Sequence, residues 1–182
     1  MAAVVLAANG VLTLDAEAAL IRAAQSGDRA AFGRFYERYV RVVHGVLLAY
    51  VSYADAEDLV QDVFVAALQR IGSLRDPLAA GGWLMAIARH AAIDFHRSRR
   101  KSEEIDDRVA GSRGPSVEAA LALEEIRKLP EAYRETLMLR LVEGLTGPEI
   151  AARTGLTPDS VRVNLCRGMK MLREKLEGTA HE

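Results

Sequence analysis

The sequence predicts an all-α protein: two small helical domains joined by a flexible linker, the second carrying a helix-turn-helix. Three observations support this. Apolar residues recur at three- and four-residue steps almost throughout, which is the period of an amphipathic helix, and no alternating run competes for a strand. A charged stretch containing glycine and proline, KSEEIDDRVAGSRGPSVE from Lys101, interrupts that periodicity once. Beyond it, LTGPEIAARTGLTPDSVRVNL (Leu145 to Leu165) has the composition of a sharp corner between two short helices.

The 182 residues are 50% hydrophobic, enough for one or two small cores. Residues 1–14 are apolar but lack a positive leading segment, break at Asn9-Gly10, and fall short of the ~20 residues that span a bilayer. They read as a loose leader on a cytoplasmic protein with no membrane insertion. The first domain takes residues 15–100. A short helix is expected from Asp15 to Ser26. From Asp28, the residues Phe32, Phe35, Tyr36, Tyr39, Val43, Val46 and Leu47 mark a second. A third begins near Asp55, turns Leu59, Val63, Phe64, Ala67, Leu68 and Ile71 inward, and stops at Gly72. GSLRDPLAAGG then breaks the helix, and a fourth starts near Trp83 with Leu84, Ile87, Ala91 and Phe95 inward.

Residues 101–117 show no sustained apolar period and cannot bury enough surface to fold alone, so they read as a flexible linker. The second domain takes residues 118–178. One helix runs over Val117 to Lys128 and another over Glu131 to Glu143, with Tyr133, Leu137 and Leu141 on one face. The corner follows. A helix-turn-helix needs a small residue where its helices cross, a turn residue tolerant of positive φ, and an apolar anchor facing back. Ala151, Gly155 and Val161 stand at that spacing, Ile150, Leu156 and Leu165 complete a local core, and Thr157 with Pro158 forms an N-cap followed by proline. An ordinary helical hairpin would account for the apolar anchors but not for cap, turn and anchor together.

On the last helix, about 100° per residue puts Val161, Leu165, Met169 and Leu172 on one side. Asp159, Val163, Arg167 and Lys170 fall on the other, with Arg162 and Cys166 beside them. Such a face fits a major groove, where arginine reads guanine edges or grips phosphates and Val163 touches a thymine methyl. Asp159 suits either a cytosine amino group or the helix dipole.

A second basic cluster ends the fourth helix in RHAAIDFHRSRRK. Arg89, His96 and Arg100 share the side opposite the apolar residues, with Arg97 and Arg99 flanking. This face could hold a phosphate backbone, or be a solvated helix end favoured by the macrodipole. Trp83 reads first as core and second as a stacking platform for an unpaired base.

Charge and side-chain chemistry narrow the function classes. With 24 Lys+Arg against 25 Asp+Glu the formal net charge is -1, so any nucleic-acid surface must be local. The single cysteine, Cys166, leaves no disulfide framework and fits a reducing compartment. Its place beside the outer face admits a redox role, against the plainer reading of an incidental, semi-buried thiol. Neither the cysteine nor the four histidines have metal-ligand spacing, and no catalytic constellation stands out, so neither an enzyme nor a cofactor is expected.

These residues resemble the bacterial RNA polymerase sigma factors, specifically the small two-domain extracytoplasmic-function (ECF) group of the sigma-70 family, over about Asp28 to Leu176. DAEDLVQDVFVAAL resembles the family's core-polymerase-binding helix. WLMAIARHAAIDFHRSRRK resembles its promoter-melting and minus-ten helix, and the segment from Leu129 to Leu176 its minus-thirty-five domain.

The resemblance implies that Asp58, Gln61 and Asp62 contact the clamp helices of the largest polymerase subunit. It implies that Trp83, Arg89, His96, Arg97, Arg99 and Arg100 hold the opened minus-ten strand, and that the loop Gly72 to Gly82 captures a flipped base. It further implies that Thr157, Asp159, Ser160, Arg162, Val163, Arg167 and Lys170 meet minus-thirty-five DNA. The implied partners are core RNA polymerase, including its beta flap, promoter DNA in double- and single-stranded form, and an anti-sigma factor. No covalent chemistry is implied. The chain departs from the family pattern at Gly81-Gly82, where an aromatic and a basic residue are common, at His90 in place of an asparagine, and near Asn164, where a basic residue is usual. The promoter preference therefore does not carry over. The rival class is a free-standing helix-turn-helix repressor, which would need a dimer seam or a ligand cavity in its first domain.

Overall fold

The computed structural model describes residues 14–102 and 117–179. The leader and most of the linker thus lie outside the described residues. Among those residues there are eight α-helices and no strand: α1 (Leu14–Gln25), α2 (Arg29–Leu48), α3 (Tyr53–Arg70), α4 (Ala80–Ser102), α5 (Val117–Arg127), α6 (Glu131–Leu141), α7 (Gly147–Thr154) and α8 (Pro158–Thr179).

In the first domain α2 is the central pillar, with α1, α3 and α4 packed around it. Asp28 caps α2, its side chain accepting from the amides of Ala30 and Ala31 at 2.8 and 3.0 Å. Phe35, Tyr39, Val43 and Leu47 are fully buried along its inner face. Tyr39 donates its hydroxyl to Glu17 of α1, and Arg38 reaches the same carboxylate at 2.9 Å. The buried charge is thus paired, and burial, with Glu17 second, raises the Tyr39 pKa above its usual range.

Helix α3 starts two residues before the expected Asp55, with Ser52 as its cap. Its inner face differs from expectation at Leu68, which is 55% exposed: Phe64, Ala67 and Ile71 form the buried stripe, and Leu68 falls just outside its edge. Helix α4 also begins earlier than expected, at Ala80. Asp76 caps a 3₁₀ turn over Pro77–Ala79, and that turn runs straight into α4.

In the second domain α6 lies between two neighbours. On one side it packs on α8, where Gly168 meets Leu137 and Tyr133; on the other it packs on α2. That double burial leaves the expected one-sided stripe incomplete: Leu141 is 48% exposed, while Met138 and Leu139 are buried. The apolar core runs without a break from Ile21 and Phe35 through Leu48 to Leu137, Ile150 and Val161, so the two domains share one interior.

Candidate nucleic-acid interface

The corner forms as its residue types dictate. Thr146 and Glu149 make a reciprocal capping box at the start of α7: the Thr146 amide donates to the Glu149 carboxylate at 2.8 Å, and the Glu149 amide donates to the Thr146 hydroxyl at 3.4 Å. The Thr146 amide, and second the Thr146 hydroxyl, which donates to the same carboxylate at 2.7 Å, hold the Glu149 carboxyl below the usual carboxylate range. Gly155 ends α7 at φ 78°, ψ 6°, a left-handed conformation that favours glycine. Thr157 then caps α8, accepting from the Ser160 amide at 3.1 Å. Ile150 and Val161 are buried as anchors, whereas Leu156 is 39% exposed at the bend and adds little to the local core.

The outer face of α8 is open. Asp159, Ser160, Arg162, Val163, Arg167 and Lys170 are exposed, as is Thr157 at its start. Arg162 pairs with Asp159 at 3.2 Å and Lys170 lies 3.9 Å from Glu174, both at the surface. Inward, Asn164 donates to the Thr136 hydroxyl of α6 at 3.4 Å, which helps fix the rotation of α8. Cys166 is free and exposed rather than semi-buried.

On α3, Asp58, Gln61 and Asp62 form an exposed outer face, as expected. The end of α4 carries His96, Arg97 and Arg99, all exposed. Arg97 pairs with Asp94 at 3.4 Å and Arg99 with Asp55 of α3 at 3.3 Å, while the His96 Nε2 lies 2.9 Å from the Tyr50 carbonyl oxygen. The side chain of Arg100 lies outside the described residues. Trp83 is half-buried against the core.

Arg89 departs from the free basic face on which its spacing placed it. Its guanidinium makes a two-point bond with Glu135 of α6, at 2.7 and 2.8 Å, and Tyr50 donates its hydroxyl to the same carboxylate at 2.6 Å. The bonds to Glu135 raise the Arg89 pKa further. Burial, with Glu135 second, raises that of Tyr50. The physical reason is planar complementarity: a half-buried guanidinium matches a buried carboxylate at two points better than it matches water.

Sequence reasoning missed Glu135 and its neighbour in function, Glu143. Glu143 meets the His44 Nδ1 at 2.6 Å and the Arg41 Nε at 3.5 Å, and Arg41 also donates to its carbonyl. The available signal was a pair of carboxylates in or just after a helix otherwise rich in buried residues.

Among the described residues, no group of three or more His, Cys, Asp or Glu side chains is placed to hold a metal ion. Nor is any helix there long and apolar enough to cross a membrane.

Comparison with known proteins matches the Sigma-70 region 2 model over residues 35–102 and the Sigma-70 region 4 model over residues 120–172. RNA polymerase sigma factor SigZ of Bacillus subtilis is 30% identical over 149 residues, covering 76% of this chain and 85% of that protein. The chain is an RNA polymerase sigma factor of the sigma-70 family, in its ECF group.

The ECF sigma factor BldN of Streptomyces coelicolor is 31% identical over 177 residues, covering 88% of this chain and 66% of BldN. Among solved structures, CnrH in complex with the cytosolic domain of CnrY superposes with a TM-score of 0.61 at 28% identity, covering 90% of this chain and 99% of that one. CnrH comes from Cupriavidus metallidurans. A sigma factor of this kind is not an enzyme; it directs core RNA polymerase to promoters in transcription initiation.

Proposed function

We propose that three faces of this sigma factor divide the work of initiation. The acidic outer face of α3, with Asp58, Gln61 and Asp62, docks on the clamp helices of the largest polymerase subunit, and the second domain docks on the beta flap. Helix α8 enters the major groove at minus thirty-five, where Arg162, Arg167 and Lys170 meet phosphates or guanine edges, Val163 meets a thymine methyl, and Thr157, Asp159 and Ser160 sit at the dipole-positive helix start.

The loop Gly72 to Gly82 and α4, with Trp83, Arg89, His96, Arg97, Arg99 and Arg100, receive the opened strand at minus ten. Melting needs no covalent step: contacts made only to single-stranded DNA offset the cost of unpairing. The protein works in the cytoplasm, and a second protein, an anti-sigma factor, covers the polymerase- and DNA-binding faces when transcription is off. CnrH, solved with the cytosolic domain of CnrY, supports a partner of that class.

The observation that carries this reading is the exposed basic face of a capped helix-turn-helix in the same chain as an exposed acidic face on another helix, α3. Run-off transcription on randomised promoter fragments tests it. Transcripts from a fixed distance beyond a two-part motif, only with both core polymerase and this protein, are expected. Selection of DNA without polymerase and without initiation would replace the reading with a repressor.

A further inference from the structure

The Gly81-Gly82 pair acquires a physical role where the second domain meets the first. The C-terminus of α7 abuts the first turn of α4. A Cβ on Gly81 would collide with the Arg153 carbonyl oxygen and come within 3.4 Å of the Tyr39 ring, and one on Gly82 would lie 3.6 Å from the Thr154 carbonyl oxygen. A second close approach lies on α2, where a Cβ on Gly45 would stand 2.8 Å from Leu139 Cδ2 and 2.9 Å from Glu143 Cγ. Two carboxylates of the second domain, 8% and 7% exposed, then clamp polar groups of the first: Glu135 takes Arg89 and Tyr50, and Glu143 takes His44 and Arg41. Arg127 adds a bond to the Leu48 carbonyl at 2.9 Å, and the Arg134 guanidinium lies 4.3 Å from the centre of the Tyr50 ring.

We propose that this sigma factor rests in a closed state in which its own second domain covers the start of α4 and Arg89, and that Gly81 is the residue whose missing side chain permits the closure. The functional consequence rests on the minus-ten reading given above; the closure itself does not. Part of one DNA face is withheld, while His96, Arg97 and Arg99 at the far end of α4 stay exposed, and the other face is not withheld at all. The start of α4 and Arg89 lie under α7 and α6, while Arg162, Val163, Arg167 and Lys170 on α8 stay exposed. A domain held by complementary shape and by two buried carboxylates has a definite closed geometry, in contrast to one resting loosely on its neighbour. Opening is within reach of the chain: residues 103–116 span about 50 Å when extended, ample for the second domain to part from the first.

The test measures the closure first and its consequence second, on the full chain. The native, exposed Cys166 and a Gln69→Cys substitution on the exposed side of α3 carry spin labels for pulsed distance measurement. One narrow distance is expected, and Gly81→Ala should replace it with a broad, longer distribution. The substitution improves the helix propensity of α4 itself, so unfolding is not the expected outcome. Glu135→Gln with Glu143→Gln, which keep the side-chain shapes and remove both charges, should open the chain independently.

The double variant should also reach half-maximal run-off with core polymerase at a several-fold lower protein concentration than wild type. A broad wild-type distribution, or an unaltered narrow one in both Gly81→Ala and the double variant, overturns the closed state. An opened double variant that needs as much protein as wild type overturns the withholding of α4 and leaves the sigma-factor reading intact. Absence of promoter-specific run-off from wild type and variants alike would instead count against that reading, while the distances decide the closure separately.

Discussion

Two glycine-to-alanine substitutions should move stability in opposite directions, and their signs follow from backbone geometry alone. Gly33 lies exposed inside α2 with nothing within 4 Å of a Cβ placed on it. Alanine there removes conformational freedom from the unfolded chain and should stabilise by roughly 0.5–1 kcal/mol. Gly155 also has room, its nearest neighbour being the Gly82 Cα at 3.9 Å, but it stands at φ 78°. Alanine in that left-handed conformation costs about 1–2 kcal/mol, only partly offset by the same unfolded-state effect. For a chain of this size a kilocalorie moves the thermal midpoint by about 2–4 °C, so the two variants should be separated by several degrees with wild type between them. Thermal unfolding followed by far-ultraviolet circular dichroism reads this directly. Gly155→Asn should fall nearer wild type, because asparagine tolerates the left-handed region. A Gly155→Ala variant as stable as wild type would refute the strain argument and with it the claim that the corner depends on glycine.

Glu149 contributes stability through its depressed carboxyl, so that contribution is present above the ordinary pKa of 4.5 and lost as pH falls below it; comparing the thermal midpoints of wild type and Glu149→Gln from pH 7 to pH 3 should show the gap closing on acidification. Ile150 is fully buried at the corner, and Ile150→Ala should cost about 2–5 kcal/mol in denaturant unfolding, enough to loosen the second domain. Arg167→Ala and Lys170→Ala should each weaken promoter binding by the polymerase-bound protein and lower the slope of log affinity against log salt by about 1 where the side chain meets a phosphate. Asp94→Asn frees Arg97 from a pair exposed on both sides, so promoter affinity at low salt should rise by about two- to fivefold, in line with the ~0.2–1 kcal/mol of such pairs, and converge with wild type at high salt.

The elements most legible in the sequence were those set by local rules. Asp28 and Thr157 announce their helices because a side-chain oxygen satisfies amides two or three residues on, and Gly155 announces the corner because few residues accept its backbone angles. The exposed face of α3 and that of α8 were legible for a related reason: each lies on a helix buried on one side only. What stayed hidden depends on a partner distant in sequence. Nothing near residue 135 says that a carboxylate in α6 will meet an arginine 46 positions earlier, or that α6 will be buried on two sides and leave Leu141 in water. The early start of α4 was hidden for the same reason. Gly81-Gly82 reads locally as a helix breaker, yet it is helical here, with the Arg153 carbonyl of α7 lying where a side chain on Gly81 would be.

The ion pairs on the proposed DNA faces differ in kind, and the difference constrains how the protein can engage a promoter. Arg97 with Asp94, Arg162 with Asp159, and Lys170 with Glu174 are all more than 60% exposed on both sides. Pairs of that type contribute about 0–1 kcal/mol, so a phosphate can take the cation while the carboxylate returns to water at little cost. Arg89 is not exchangeable in this way. Its carboxylate partner, Glu135, has a side chain only 10% exposed and accepts a second bond from Tyr50. If DNA took Arg89 alone, that carboxylate would lose its two-point counter-charge while still buried, and stranding a buried charge costs several times what an exposed pair returns. Arg89 becomes available only when Glu135 leaves with it solvated, and Glu135 sits in the middle of α6, whose other side is packed on α8. A single rotamer change cannot accomplish that; α6, α7 and α8 must move off the first domain together. On the proposed assignment of these faces, engagement of α8 with minus-thirty-five DNA can therefore come before opening, whereas engagement of Arg89 with the melted strand cannot.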